Sequence, residues 1–218
     1  MGLVGVEEKQ KRKNRMKKKV LIIGATGTIG SAVVSELERD CDVIKVGGSS
    51  GDETVDIADS NAIAALYNKF NDIDAVVCAA ARGVTFAPLA EMTMETYLQS
   101  MQSKLLGQVD LVIQGIKHLG QEASFTLTTG LLNYDPIAAG TAAGMINGAI
   151  EGFVRAAAID MPGNQRINVV SPALLCESVE KYRDFFHGYQ PVPAATVALA
   201  YRKSVMGHQT GRVMRVGW

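Results

Sequence analysis

Cysteine is scarce: Cys41, Cys78 and Cys176 are the only three in 218 residues. An odd, scattered set excludes a disulfide framework and matches no zinc-ligand spacing, so no metal site is expected. Long apolar runs are missing too. None reaches the roughly 18 residues of a membrane-spanning helix. The apolar stretch behind the charged N-terminus is too short for a signal-peptide core. A reducing, cytoplasmic setting without membrane contact is the resulting expectation. Net charge is also absent, since 22 Lys and Arg balance 22 Asp and Glu. The balance hides an asymmetry. Residues 1–19 carry eight basic and two acidic side chains (+6), leaving 14 basic and 20 acidic (−6) for the remainder. An acidic body argues against nucleic acid as the main partner. Residues 1–17 read as a disordered basic tail. With no repeat, low-complexity segment or linker beyond it, residues 18–218 read as one domain.

What is present is an alternation of short apolar or β-branched runs with longer helical stretches. That pattern predicts an α/β fold: a three-layer, doubly wound parallel sheet of about seven strands with helices on both faces. Strands are expected at 20–23, 43–46, 54–57, 75–78, 123–128, 167–170 and 212–216. Helices are expected at 29–38, from Asp59 or Ser60 to about 70, 94–119, 138–160, 177–186 and 194–205. The first helix carries Ile29, Ala32, Val33 and Leu37 on one face.

The sharpest motif joins the first strand to the first helix: Val20-Leu21-Ile22-Ile23-Gly24-Ala25-Thr26-Gly27-Thr28-Ile29-Gly30. Three glycines spaced by three have distinct uses at such a turn. The first permits the tight bend, the second admits a pyrophosphate close to the backbone, and the third lets helix and strand pack. A helix N-terminus adds free N–H donors and partial positive charge. Strand before, helix after and a βαβ setting are the context this motif needs. Dinucleotide contacts are therefore expected at Gly24, Thr26, Gly27, Thr28, Ile29 and Gly30. Which dinucleotide depends on the end of the second strand, Val46-Gly47-Gly48-Ser49-Ser50. It offers no carboxylate for the ribose hydroxyls of NAD. Gly48 and Ser49 stand where a 2′-phosphate would lie, with Lys45 near, although no Arg clamp is present. The cofactor expected is NADP, with NAD the alternative.

From residue 18 onward the chain resembles the short-chain dehydrogenase/reductase family. The resemblance rests on the glycine turn, Val55-Asp56-Ile57, Asp74-Ala75-Val76-Val77 ahead of Cys78-Ala79-Ala80-Ala81, Glu151-Gly152-Phe153-Val154-Arg155, Arg166-Ile167-Asn168-Val169-Val170-Ser171-Pro172 and Thr210-Gly211-Arg212. It implies a Rossmann fold and contacts to the dinucleotide from Asp56, Ile57, Ala79, Ala80 and Pro172. Family members use Asn, Ser, Tyr and Lys for catalysis. Here the Tyr position falls at Ala143 and the Lys position at Asn147. The Ser position falls at Thr129 or Gly130, and the Asn position at Lys104, three residues before Gly107.

Two of these departures look like an exchange, Asn for Lys at 147 and Lys for Asn at 104. Either Lys104 delivers an ammonium to the site from the other helix, with Asn147 beside it, or Lys104 reaches solvent and Asn147 is a packed helix residue. A replacement for the missing Tyr is expected at Tyr134, with Tyr182, Tyr189 and His187 weaker. Glu177 and Ser178 stand where the family often has a Thr on the carboxamide, and the segment from Pro172 to Thr210 is short for a substrate lid. Two functions remain open. One is an NADP-dependent oxidoreductase of small carbonyl or alcohol substrates, served by Thr129, Lys104, Asn147 and Tyr134. The other is a catalytically degenerate dinucleotide-binding protein acting as a redox sensor or partner-binding module. The resemblance also implies a homodimer or homotetramer, paired through the long helices where Gly140, Ala142, Ala143, Gly144 and Gly148 allow close approach.

Overall fold

The computed structural model describes residues 17–80 and 83–218, so the predicted tail (Lys17 apart) and Ala81 lie outside the described residues. Seven parallel strands form one sheet in the order β3-β2-β1-β4-β5-β6-β7. They are β1 (Lys18–Ile23), β2 (Cys41–Gly47), β3 (Glu53–Thr54), β4 (Ala75–Cys78), β5 (Ser124–Thr128), β6 (Arg166–Pro172) and β7 (Val213–Val216). The helices are α1 (Thr28–Leu37), α2 (Ser60–Lys69), α3 (Met94–Ser100), α4 (Gly107–His118), α5 (Thr141–Asp160), α6 (Val179–Tyr182) and α7 (Ala194–Met206).

A strand buried on both faces must be apolar at every position, and β1 shows why. Leu21 and Ile23 join the core that α2, α4 and α5 cover, while Val20 and Ile22 join the core under α1 and α7. Val76 and Cys78 of β4 divide from Ala75 and Val77 in the same way. The two large buried tyrosines inside these layers are paired. The buried Tyr67 hydroxyl donates to the Leu111 carbonyl at 2.7 Å, and the Tyr201 hydroxyl lies 2.6 Å from Thr128 Oγ1.

Three elements differ from the sequence expectation. The strand expected over 54–57 ends at Thr54, because Asp56 starts a turn in which its carboxylate accepts the Ala58 N–H at 2.9 Å. Asp59 then caps α2 by accepting the Asn61 N–H. The long helix expected over 94–119 is broken into α3, a π-helical turn at Met101–Leu106, and α4. The helix expected over 177–186 shrinks to α6, preceded by a 3₁₀ turn at Cys176–Ser178. There Glu177 turns its carboxylate onto the Ala194 N–H (3.0 and 3.2 Å), capping the start of α7.

Candidate active site

The strand order reverses between β1 and β4, each bonded to the other at the sheet centre. In an open α/β sheet the crevice beyond the carboxyl ends of such strands is the binding position. The glycine turn lies there. Gly24 and Ala25 donate to the Val46 carbonyl at 2.8 and 3.0 Å, tying the turn to the end of β2. Gly24 has φ +80°, and a Cβ on it would stand 2.6 Å from the Ala80 nitrogen. A Cβ on Gly30 would lie 1.9 Å from the Gly24 carbonyl oxygen. Both are required by the protein's own packing. Gly27 is different. Its φ is −82°, and a Cβ there would meet only the Gly24 oxygen, at an ordinary 3.4 Å. Gly27 is exposed, is the N-cap of α1, and has no side chain to satisfy the first N–H groups of the helix. Open space at an uncapped helix start, flanked by exposed Thr26 and Thr28 and half-buried Ile29, fits a phosphate group.

Around this turn, Gly48 and Ser49 are exposed past the end of β2. Lys45 is held by Glu38 at 2.6 Å and is not aimed at Ser49 by any hydrogen bond. Ala79 and Ala80 follow β4, with the Ala79 N–H bonded to the Ile23 carbonyl at 2.8 Å. Asp56 is exposed, whereas Ile57 is buried against the start of α4, where a Cβ on Gly107 would stand 2.6 Å from the Ile57 carbonyl oxygen.

At the ends of β5 and β6 the structure brings Lys104 and Asn147 together. The Lys104 ammonium donates to Asn147 Oδ1 at 2.8 Å, and Asn147 Nδ2 donates to the Gly130 carbonyl at 3.1 Å. Asn147 therefore links the amine to the loop that follows β5. Both side chains are buried, Lys104 at 7% exposure and Asn147 at 2%. Among the described residues no carboxylate pairs with Lys104; desolvation pulls its pKa down from 10.5 to about 8. Cys78, enclosed at the end of β4, is pushed up to about 12 by burial and stays a thiol.

The π turn places Lys104. Such a turn carries one residue more than α geometry and recurs at functional sites. Gln108, fully buried one turn on, braces it against β5. Its Nε2 donates to the Lys104 and Thr128 carbonyls (3.2 and 3.0 Å), and its Oε1 accepts the Thr128 N–H at 2.8 Å. Gln108 was not among the residues expected from the sequence. Its one signal there is an amide spaced four residues after Lys104 on a helix.

Thr129 follows directly, its N–H bonded to the Val170 carbonyl at 2.9 Å. Among the described residues its buried Oγ1 has no hydrogen-bond partner, and neither does Ser171 Oγ in β6. Pro172 ends β6, buried, with its carbonyl 3.8 Å from where a Gly130 Cβ would be. Ala143 is buried in the apolar layer that includes Leu131 and Leu132.

Tyr134 is engaged elsewhere. Its hydroxyl donates to Glu151 Oε2 at 2.6 Å and accepts from Arg155 at 3.1 Å, and its ring packs on Trp218. No hydrogen bond joins it to Lys104, Asn147 or Thr129. The aromatic expectations at Tyr182 and Tyr189 resolve into a cluster with Phe86 and Phe186.

A family model described as enoyl-(acyl carrier protein) reductase matches residues 20–197. Among solved structures, the protein lin1944 from Listeria innocua is 49% identical, with a TM-score of 0.89 over 91% of this chain and 99% of that one. A small-chain dehydrogenase in complex with NADPH is 24% identical, with a TM-score of 0.80 over 92% and 96%. A short-chain type dehydrogenase/reductase from Mycobacterium ulcerans shares the fold at 17% identity and a TM-score of 0.80, over 92% and 88%. Comparison with curated proteins finds no match. A glycine turn at the switch point, a seven-stranded Rossmann-like sheet and a family model spanning most of its length place the chain in the short-chain dehydrogenase/reductase family.

Proposed function

We propose that the chain is an NADP-dependent oxidoreductase that interconverts a small carbonyl compound and its alcohol, with Lys104 in the role that Ala143 cannot fill. The observation that carries this reading is the enclosed Lys104–Asn147 pair at the ends of the central strands. Gly24, Thr26, Gly27, Thr28, Ile29 and Gly30 would hold the pyrophosphate. Gly48 and Ser49 would face the 2′-phosphate, with Asp56 and Ile57 at the adenine and Ala79, Ala80 and Pro172 further along. The NADPH-bound relative supports this choice of dinucleotide. When bound, a nicotinamide dinucleotide supplies the hydride equivalent.

The chain's own groups supply the proton and the orientation. In the reducing direction the carbonyl oxygen gains negative charge. An ammonium in a water-poor enclosure stabilises such charge far better than one in solvent. Lys104 then gives a proton to that oxygen and is left as the neutral amine, which solvent reprotonates. Its lowered pKa suits the task, since a donor works best near the working pH. Asn147 holds the ammonium in place through Oδ1. Thr129 Oγ1, without a partner among the described residues, donates to the substrate oxygen once local opening lets that oxygen in. Tyr134, held by Glu151, takes no part in proton transfer.

Calorimetric titration with NADPH and NADH tests the first half: micromolar binding of NADPH and weaker binding of NADH is expected. The second half is tested by turnover of small aldehydes and ketones. Lys104→Ala and Thr129→Ala should each abolish turnover while leaving NADPH affinity within a few-fold. NADPH binding without turnover of any carbonyl would move the chain to the degenerate, sensor-like reading.

A further inference from the structure

Away from the glycine turn, an open hollow of about 310 Å³ lies where β7 and the residues just before it meet α5 at Arg155. Its walls are Arg155, Gly211, Arg212, Val213 and Arg215. Three guanidiniums around one hollow are unusual on a body whose residues 20–218 carry more acids than bases. Among the described residues, the carboxylate that pairs with one of these guanidiniums is Glu151, which holds Arg155 at 3.0 Å and accepts from Tyr134. Among the described residues no carboxylate pairs with Arg212 or Arg215.

Two of the three arginine side chains are also held in place. The Arg215 guanidinium sits over the Tyr134 ring (4.4 Å to its centre) and the Trp218 ring (4.8 Å). Those two rings pack on each other, and Trp218 Nε1 donates to the Ser171 carbonyl at 2.9 Å. Arg155 is fixed by Glu151 and Tyr134. Arg212 rises from a backbone anchored by its own N–H on Asn168 Oδ1 at 3.0 Å. A guanidinium held in advance loses little freedom when it bonds an oxyanion, and its planar fork fits such an anion with two parallel bonds.

The geometry points to a binding site for a phosphate-bearing small molecule in this hollow, with Arg212 and Arg215 as its principal ligands and Arg155 at its wall. Charge decides the class. Three guanidiniums less one carboxylate leave two positive charges, which a phosphate dianion or monoester neutralises and a single carboxylate does not. The site is separate from the dinucleotide turn and does not depend on the proposed reaction.

Trp218, the single tryptophan, makes the test direct. Inorganic phosphate, and separately pyrophosphate, is titrated into the full chain at constant ionic strength while tryptophan emission is followed. A saturable change with a midpoint at or below the millimolar range is expected. Arg212→Ala should raise that midpoint at least tenfold. Its side chain is exposed and makes no ion pair among the described residues, so the fold does not depend on it. Gly27→Asp, which closes the dinucleotide turn to phosphate, should leave the midpoint unchanged. Three outcomes overturn the proposal: a response matched by potassium chloride, an equal midpoint in Arg212→Ala, or a midpoint lost in Gly27→Asp. So does a fall of the oligomer to monomer in Arg212→Ala without any phosphate response, because the arginines would then serve a second copy of the chain.

Discussion

At the residue scale the three glycines of the turn separate into two kinds. Gly30 faces backbone oxygen at a distance no real Cβ tolerates, so Gly30→Ala should cost about 3 kcal/mol or more in a urea titration. Gly27 faces open space in the extended conformation an N-cap prefers. Gly27→Asp should therefore keep or raise the melting temperature, since Asp caps a helix well. It should also abolish NADPH binding, as a carboxylate would occupy the phosphate position. Lys104 carries a second prediction, in stability against pH. Its folded pKa lies below its unfolded one, the reverse of a paired lysine. Between about pH 8 and 10.5 the unfolded chain still holds the proton that the folded chain has released, so this group makes stability rise with pH there. From pH 7 to 9.5 the wild type should gain about 2 kcal/mol relative to Lys104→Met, by urea midpoints at both pH values. Equal pH responses in the two proteins would show that the amine is solvated. The glycine spacing was legible in the sequence, because backbone geometry demands that residue type. The contact of Lys104 with Asn147 was legible only as one of two alternatives, because a lysine side chain is long enough either to reach solvent or to turn inward.

Among the elements, the break between α3 and α4 matters most. A helical pattern over residues 94–119 reads as continuous, since residues 101–106 hold no Gly or Pro to mark a break. What breaks it is a tertiary bond, the Gln108 amide spanning the π turn and β5. Nothing local to the sequence shows where that amide goes. Gln108→Leu would leave buried backbone groups of Lys104 and Thr128 without partners. A loss of about 3 kcal/mol in stability is expected. In the variant, turnover should fall while NADPH affinity by calorimetry stays within a few-fold, because Gln108 positions Lys104 and lies away from the glycine turn. The short α6 repeats the lesson. Its helical pattern ran on to Phe186, but Glu177 is drawn off to cap α7, and the chain after Tyr182 leaves the helix.

For the whole molecule, the parallel, layered sheet was legible from the alternation of short apolar or β-branched runs with longer helical stretches, and all seven strands were located from it. The third is the shortest, and its extent was overestimated. Assembly is the property still to be tested at this scale. Leu98 of α3, Leu106 and Ile113 at α4, and Met145 of α5 are 59%, 43%, 45% and 45% exposed. Large apolar side chains left exposed on these helices suit an interaction face. A homodimer or homotetramer is expected by light scattering, and Ile113→Glu should shift it to monomer; a monomeric wild type would contradict the expectation. One feature of the sheet reaches beyond the folded state. The central strand β1 bonds β2 about 23 residues away and β4 about 55 residues away, and no hairpin joins any two neighbours. The ladder at the heart of the molecule can close only after long loops have been drawn shut. Such non-local pairing makes folding slow, so refolding from urea should take far longer than in a helical bundle of equal length. During that interval the apolar strand edges that later build the site stand open to other chains, and recovery of active protein should depend on how dilute the refolding mixture is.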